Sequence, residues 1–145
     1  MVGHFGAPDR LSYTALGDGV NLAARLESLN KHYSTSILAS QAIVDAVAPE
    51  FAFRLVDAVV VKGRQQPELV YELLGRHDAI DDPEPYRRYE RALRRYRERD
   101  WSGALGLLEG LGEDGPALTL SGRCRKFLHD PPPEAWDGAY RPAEK

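Results

Sequence analysis

Hydrophobic and polar positions in the first part of the chain predict a strand followed by a helix. LSYTAL alternates apolar and polar residues, as a half-buried strand does. Apolar residues then recur at helical spacing through VNLAARLESLNKHY: Val20, Ala23, Ala24, Leu26 and Leu29. Between the two elements, the Asp18 carboxylate can accept backbone N–H bonds and so cap the helix.

Three more strands and a second helix follow in the pattern. TSILAS predicts a short buried strand, and QAIVDAVA predicts a helix that Ser40 caps and that ends near Pro49. FAFRLVDAVVV and ELVYELLG predict two strands, which the turn residues of KGRQQP connect as a hairpin. The order strand, helix, strand, helix, strand, strand predicts an α+β fold with one sheet.

The second part of the chain predicts a small α-helical extension. RHDAIDDPEP is charged and holds two prolines, which indicates a linker. Aromatic and apolar residues then fall at helical spacing: Tyr86, Tyr89, Leu93 and Tyr96. WSGALGLLEGL and ALTLSGRCRKFL predict further helices, similar to a tetratricopeptide helix pair. We therefore predict four units: 1–76 with the α+β fold, 77–85 as linker, 86–128 as helical extension, and 129–145 as an irregular proline-rich tail.

Composition indicates a soluble globular protein, because 43% of the 145 residues are hydrophobic and 28% are charged. A net charge of −3 gives no global basic field that would attract nucleic acid or anionic lipid. Seven arginines lie between Arg87 and Arg99, but acidic residues interrupt them, which indicates a solvated helix face. We expect no nucleic-acid partner.

Location and metal chemistry are constrained by what the sequence contains. No apolar run approaches the roughly 20 residues of a membrane span. The single cysteine, Cys124, fits a reducing compartment, and the first residues lack the order of a signal peptide. The four histidines are scattered, without zinc-ligand spacing. We expect a cytoplasmic location, no membrane contact from this segment and no metal ligands in the chain.

Four residues are candidates for nucleotide binding. Asn21 and Arg25 are four apart, which places them on one helical face near the helix N-terminus, where anions are favoured. The Arg25 guanidinium suits phosphate oxygens, and the asparagine can orient a ligand. Thr14 can bond a base edge, and Lys62 adds a second positive charge. The alternative is a polar helix face with a solvated hairpin lysine.

The segment SYTALGDGVNLAARLE resembles the signature of the class III nucleotide cyclases, the adenylate and guanylate cyclase catalytic domain. The matching elements occur in order: Arg10, Tyr13-Thr14, Gly17-Asp18, Val20 to Glu27, Ile37-Leu38, Ser40 and Val61-Lys62-Gly63. This resemblance covers residues 2–74 and implies part of a ferredoxin-like cyclase domain. The second part, with its DGPA and WDGAY motifs, resembles the helical tail of bacterial multidomain adenylate cyclases.

The resemblance implies a role for each candidate residue. Thr14 would select adenine, so the substrate would be ATP rather than GTP. Asn21 would orient the ribose, Arg25 would stabilise charge on the α-phosphoryl group, and Lys62 would bind the terminal phosphates. The family converts ATP to cyclic AMP and pyrophosphate with Mg²⁺ or Mn²⁺, and its active sites form at dimer interfaces.

The resemblance also implies that an essential part of the site lies elsewhere. The family's two metal-binding aspartates precede the matching region, so we expect the chain to begin inside the catalytic domain. Alone it should be inactive, and it should work as a homodimer or with a cyclase partner that supplies the aspartates. The missing aspartates also leave open a non-catalytic interaction module that docks onto an intact cyclase or another signalling protein.

Overall fold

The computed structural model describes residues 25–47, 49–61 and 65–142. Helix α1 is described over residues 25–33, followed by strand β1 (Leu38–Ser40) and helix α2 (Gln41–Val47). Strands β2 (Phe51–Val59) and β3 (Glu68–Arg76) follow. These elements confirm the helix–strand–helix–strand–strand order predicted from residue 25 onward. The predicted LSYTAL strand and the Asp18 cap lie outside the described residues.

The second part of the chain is helical, as predicted. A single 3₁₀ turn (His77–Ala79) precedes helix α3 (Glu84–Arg97), helix α4 (Trp101–Leu108) and helix α5 (Gly115–His129). Helix α3 begins two residues before the predicted start and includes a proline in its first turn. Proline is tolerated there because the N–H groups of the first turn have no partner within the helix. Together with the sheet, these helices make the fold α+β with a helical extension.

Among the described residues, strand β3 lies at the centre of a three-stranded antiparallel sheet, with β1 on one side and β2 on the other. The register between β2 and β3 shifts between Leu55 and Asp57, so Val56 is an extra residue in β2. Helix α3 supplies the bonds that this irregularity leaves open. The Tyr89 hydroxyl donates to the Val56 carbonyl at 2.6 Å, and the Leu55 N–H donates to the Glu90 carboxylate at 2.7 Å.

Two apolar clusters form the core. The first joins α1 to the sheet and contains Leu26, Leu29, Tyr33, Val56, Val59, Val61 and Val70. The second lies among α3, α4 and α5, around Tyr89, Leu93, Tyr96, Trp101, Leu108, Leu120 and Cys124. Burial of these apolar side chains is the main force that holds each layer together. The apolar residues that recur at helical spacing in α1 and α3 are therefore the residues that form the buried faces of these helices.

The described part of the proline-rich tail is irregular, and it returns to the sheet. Tyr140 pairs with Val59 in an isolated parallel bridge. The Tyr140 N–H donates to the Ala58 carbonyl at 2.8 Å, and the Tyr140 carbonyl accepts from the Val60 N–H at 2.9 Å. One residue of the tail thus covers part of the free edge of β2, which leaves fewer open backbone groups there.

Candidate functional site

Of the four predicted site residues, the structure describes one. Arg25 is the first described residue of α1, and it is exposed. Thr14, Asn21 and Lys62 lie outside the described residues. Their predicted roles in base selection, ribose orientation and phosphate binding therefore stay predictions.

The chain next to Arg25 and the chain next to Lys62 are held by one core. Leu26 directly follows Arg25, and Val61 directly precedes Lys62. Both apolar residues are buried in the cluster that joins α1 to the sheet. Because buried side chains are closely packed, this cluster fixes where the helix and the strand approach each other. The sequence neighbours of the two candidate cations thus belong to one core cluster.

A buried ionic network adjoins this cluster, and the sequence analysis did not predict it. We call it the Asp57 network; it consists of Asp57, Tyr33, Arg123, His32 and Tyr140. The Asp57 carboxylate in β2 is fully buried and accepts hydrogen bonds from the Tyr33 hydroxyl at 2.5 Å and from Arg123 Nη1 at 2.7 Å. It also accepts from the N–H of Ala58 at 2.9 Å. Every partner of this buried charge is a hydrogen-bond donor, as a buried carboxylate requires.

Arg123 connects three parts of the fold at this point. Its guanidinium lies over the Tyr140 ring, 4.0 Å from the ring centre, and its Nη2 is 3.1 Å from His32 Nε2. His32 stacks on Tyr140 with ring centres 4.7 Å apart. The arginine of α5 therefore contacts the sheet, α1 and the tail at once.

The electrostatics of the network favour one charge state for each member. Burial raises the pKa of the Tyr33 phenol, and the neighbouring Asp57 carboxylate raises it further. Burial opposes the charge on Arg123, but the Asp57 carboxylate together with Tyr33 and Tyr96 outweighs burial, so the Arg123 pKa is raised. Burial and the positive charge of Arg123 lower the pKa of His32. The network therefore combines a neutral tyrosine and a neutral histidine with one ion pair.

A second ion cluster joins β2 to the start of α5. Arg54 Nη1 and Nη2 donate to the two oxygens of Asp114 at 2.9 and 2.7 Å, and Arg54 Nε donates to Glu72 at 2.8 Å. Asp114 is also the N-cap of α5, because it accepts from the Ala117 N–H at 3.1 Å. Two separate arginine–carboxylate contacts thus tie the sheet to the extension. In one the sheet supplies the arginine, Arg54, and in the other the extension supplies it, Arg123.

Several arginines of α3 have partners within the molecule. Arg87 pairs with Glu90 and Arg91 with Glu84, each at 2.6 Å. Arg88 Nε donates to the Leu107 carbonyl at 2.6 Å. These contacts agree with a solvated helix face that is tied to its neighbours, and they supply the physical reason for the arginine content of α3.

The described ranges contain no group of three or more histidine, cysteine, aspartate or glutamate side chains that could hold a metal ion. The carboxylates of Asp57 and Asp114 face arginines rather than open space. No described residue is therefore assigned to Mg²⁺ or Mn²⁺. Within the same ranges, none of the helices has both the length and the apolar character needed to cross a bilayer.

Similarity to known proteins extends over about half of the chain. Adenylate cyclase 1 of Rhizobium meliloti is 44% identical over 84 residues, which are 58% of this chain and 13% of that protein. The terminal-differentiation-specific adenylate cyclase of Dictyostelium discoideum is 43% identical over 77 residues, 51% of this chain and 4% of that protein. The adenylate cyclase of Anabaena cylindrica is 38% identical over 76 residues, 50% of this chain and 15% of that protein.

The chain thus spans only a small part of the length of these relatives. No family model and no solved structure matches it. The three relatives share one name, and the signature segment resembles the same family. The chain therefore contains a region related to the class III nucleotide cyclases.

Proposed function

We propose that this chain contributes one side of the active site of an adenylate cyclase. Asn21 orients the ribose of ATP, Arg25 stabilises the charge that develops on the α-phosphoryl group, and Lys62 binds the terminal phosphates. Thr14 bonds the adenine edge and favours ATP over GTP. The partner across the dimer interface, in a homodimer or with another cyclase, supplies the two metal-binding aspartates.

The reaction is an intramolecular phosphoryl transfer. The ribose 3′-oxygen loses its proton and forms a bond to the α-phosphorus, while the bond from that phosphorus to the bridging oxygen breaks and pyrophosphate leaves. Catalysis of such a transfer depends on positioning and on preorganised positive donors around the phosphoryl oxygens. In the family the divalent metal supplies charge neutralisation at the triphosphate. This chain's own contribution is the set of donors.

The observation that carries the proposal is the placement of Arg25. It is exposed at the start of the described part of α1, while Leu26 and Leu29 on the same helix are buried against the sheet. An exposed arginine on a firmly packed helix has a fixed base and a solvent-exposed side chain, which suits phosphate recognition. The ordered cyclase signature around it and the similarity to adenylate cyclases support the same assignment.

Complementation tests the proposal. The chain is mixed with a class III cyclase subunit that keeps its metal-binding aspartates but carries alanine at its own catalytic asparagine and arginine. With Mn²⁺ and ATP, we expect cyclic AMP from the mixture and none from either protein alone. Failure of the mixture to form cyclic AMP, when sedimentation shows the two proteins bound to each other, would contradict the proposal.

That last result would instead favour the alternative, a non-catalytic module that docks onto a cyclase or another signalling protein. The extension offers surface for such docking, since Leu118 and Leu128 of α5 are half exposed. Docking without catalysis would leave binding unchanged when Arg25 is replaced by alanine. The two functions are therefore separated by one mixture and one variant.

A further inference from the structure

The Asp57 network joins the two elements that lead to the candidate cations. Tyr33 ends α1, the helix in which Arg25 is the first described residue. Asp57 lies in β2, in the stretch of chain that continues through Val61 toward Lys62. The 2.5 Å hydrogen bond from Tyr33 to Asp57 therefore ties the helix that carries Arg25 to strand β2.

This tie depends on a residue of the helical extension. A buried carboxylate is costly unless a positive partner and further donors satisfy it. Arg123 of α5 is that partner, at 2.7 Å, with a side chain that is 13% exposed against 1% for Asp57. Without it, the carboxylate would keep one hydroxyl and one backbone donor, and it would have to take up a proton or water.

Helix α5 also contacts the end of α1 directly. The Thr119 hydroxyl donates to the His32 carbonyl at 3.1 Å. A Cβ atom at Gly115 would lie 2.3 Å from the Tyr33 carbonyl oxygen, so the backbones approach closely there. The end of α1 is thus held from the extension by the Thr119 hydroxyl, by the contact of Arg123 Nη2 with His32 Nε2, and by the close backbone approach at Gly115.

We propose that Arg123 is a positioning residue for the cyclase reaction: through Asp57 and Tyr33 it fixes α1, the helix that carries Arg25, relative to β2. The proposal rests on the proposed function for its catalytic consequence. The proposal gives the helical extension a role in catalysis, because a residue of the extension holds the helix that carries Arg25.

Three variants test this role in the complementation mixture. Arg123→Met removes the partner of Asp57, and Arg123→Lys keeps a positive charge without the guanidinium fork. Arg125→Met is the matched control, because it removes an exposed arginine two residues further along α5. All rates are measured at a temperature where circular dichroism shows every variant folded.

We expect Arg123→Met to lower kcat about 10- to 100-fold, because a misplaced catalytic group loses transition-state stabilisation. The KM for ATP should change by less than about threefold, since the phosphate and base contacts are not removed. Arg123→Lys should recover part of the loss, and Arg125→Met should match the unmodified chain. A purely structural role would lower the amount of folded protein and leave the kcat of the folded fraction unchanged.

A second arm measures the position of α1 without any catalysis. Spin labels are placed on cysteines introduced at Glu27 in α1 and at Gln66 in the β2–β3 connection, both exposed. Cys124 is fully buried, and burial raises the pKa of its thiol to about 11, so labels react at the introduced sites. We expect Arg123→Met to shift or broaden the distance between the labels, and Arg125→Met to leave it unchanged.

The two arms separate the possible failures. Unchanged distances in Arg123→Met overturn the positioning role, and so does an altered distance with unchanged kcat. If the unmodified mixture forms no cyclic AMP, the proposed function fails and the catalytic part of the inference fails with it, whereas the distances still decide whether Arg123 positions α1. If Arg123→Met does not fold, the same comparisons are made with Arg123→Lys.

Discussion

Replacement of Asp114 gives a graded test of how the extension is attached to the sheet. Asp114 has two tasks, since it caps α5 and accepts two bonds from Arg54. Asp114→Asn keeps a good capping side chain but removes the charge, whereas Asp114→Ala removes both. The difference between the two variants therefore isolates the cap, and the loss in Asp114→Asn isolates the ion pair.

The structure sets the expected magnitudes. Removing one partner of a fully buried ion pair costs about 3–5 kcal/mol of unfolding free energy. Here the Arg54 side chain is 3% exposed but that of Asp114 is 26% exposed, and Glu72 still accepts from Arg54, so we expect about 2 kcal/mol for Asp114→Asn. Loss of the cap adds about 1 kcal/mol, so Asp114→Ala should cost about 3 kcal/mol.

Urea unfolding followed by circular dichroism measures these free energies. Both tryptophans, Trp101 and Trp136, lie in the aromatic cluster of the extension, so their fluorescence reports on that part separately. Asp100→Ala is the matched control, because Asp100 caps α4 and pairs with Arg95 at an exposed position. Asp114→Ala should lose clearly more stability than this control. Equal losses, or an unchanged midpoint in Asp114→Asn, would refute the reasoning.

Two further predictions concern the contact between α5 and α1. Gly115→Ala should destabilise the protein by about 1–3 kcal/mol, because its Cβ would lie 2.3 Å from the Tyr33 carbonyl oxygen. A Cβ atom at Gly122 in the same helix would meet no atom within 4 Å, so Gly122→Ala should stabilise the protein by up to about 1 kcal/mol. Thermal melts compare the two variants. The pKa of His32 is lowered in the folded protein by burial and by Arg123, with Asp57 opposing the shift. The unfolded state therefore binds the proton more readily, so stability is full above the unfolded value of 6.5 and falls as the pH drops below it. His32→Gln should make the loss of stability below pH 6.5 less steep. An equally steep loss in the variant would contradict the assignment of this pH dependence to His32.

Local patterns were sufficient to predict the elements that the structure describes. Leu26 and Leu29 recur at helical spacing, and both are buried against the sheet. Tyr89, Leu93 and Tyr96 do the same in α3. Turn residues between two apolar runs predicted the β2–β3 hairpin. Such periodicities are local properties, so a single sequence carries them.

The ionic contacts between the sheet and the extension were not predicted. Asp57 and its partner Arg123 are 66 residues apart, and Arg54 and Asp114 are 60 apart, so no local spacing connects them. One signal was present: Arg54 and Asp57 interrupt the apolar run FAFRLVDAVVV, and a charged residue in a buried strand needs a partner. The sequence thus indicates that partners exist, but only the fold identifies them.

The candidate site is known less completely than the fold. The structure places Arg25 on an exposed position of α1, and its catalytic role stays a prediction. The assignments of Thr14, Asn21 and Lys62 rest on the cyclase signature, because that signature, rather than packing, identifies them. Their order along the chain is specific, but order alone does not measure how far apart the side chains lie.

The most direct test of the central claim is the kcat of the complementation mixture with Arg25→Ala and with Lys31→Ala. Lys31 is an exposed cation on the same helix and is the matched control. If Arg25 stabilises the phosphoryl transition state, Arg25→Ala should lower kcat about 10²- to 10³-fold, as the loss of one preorganised donor does, and Lys31→Ala should have little effect. Equal cyclic AMP formation by both variants would contradict the assignment of Arg25 to the active site.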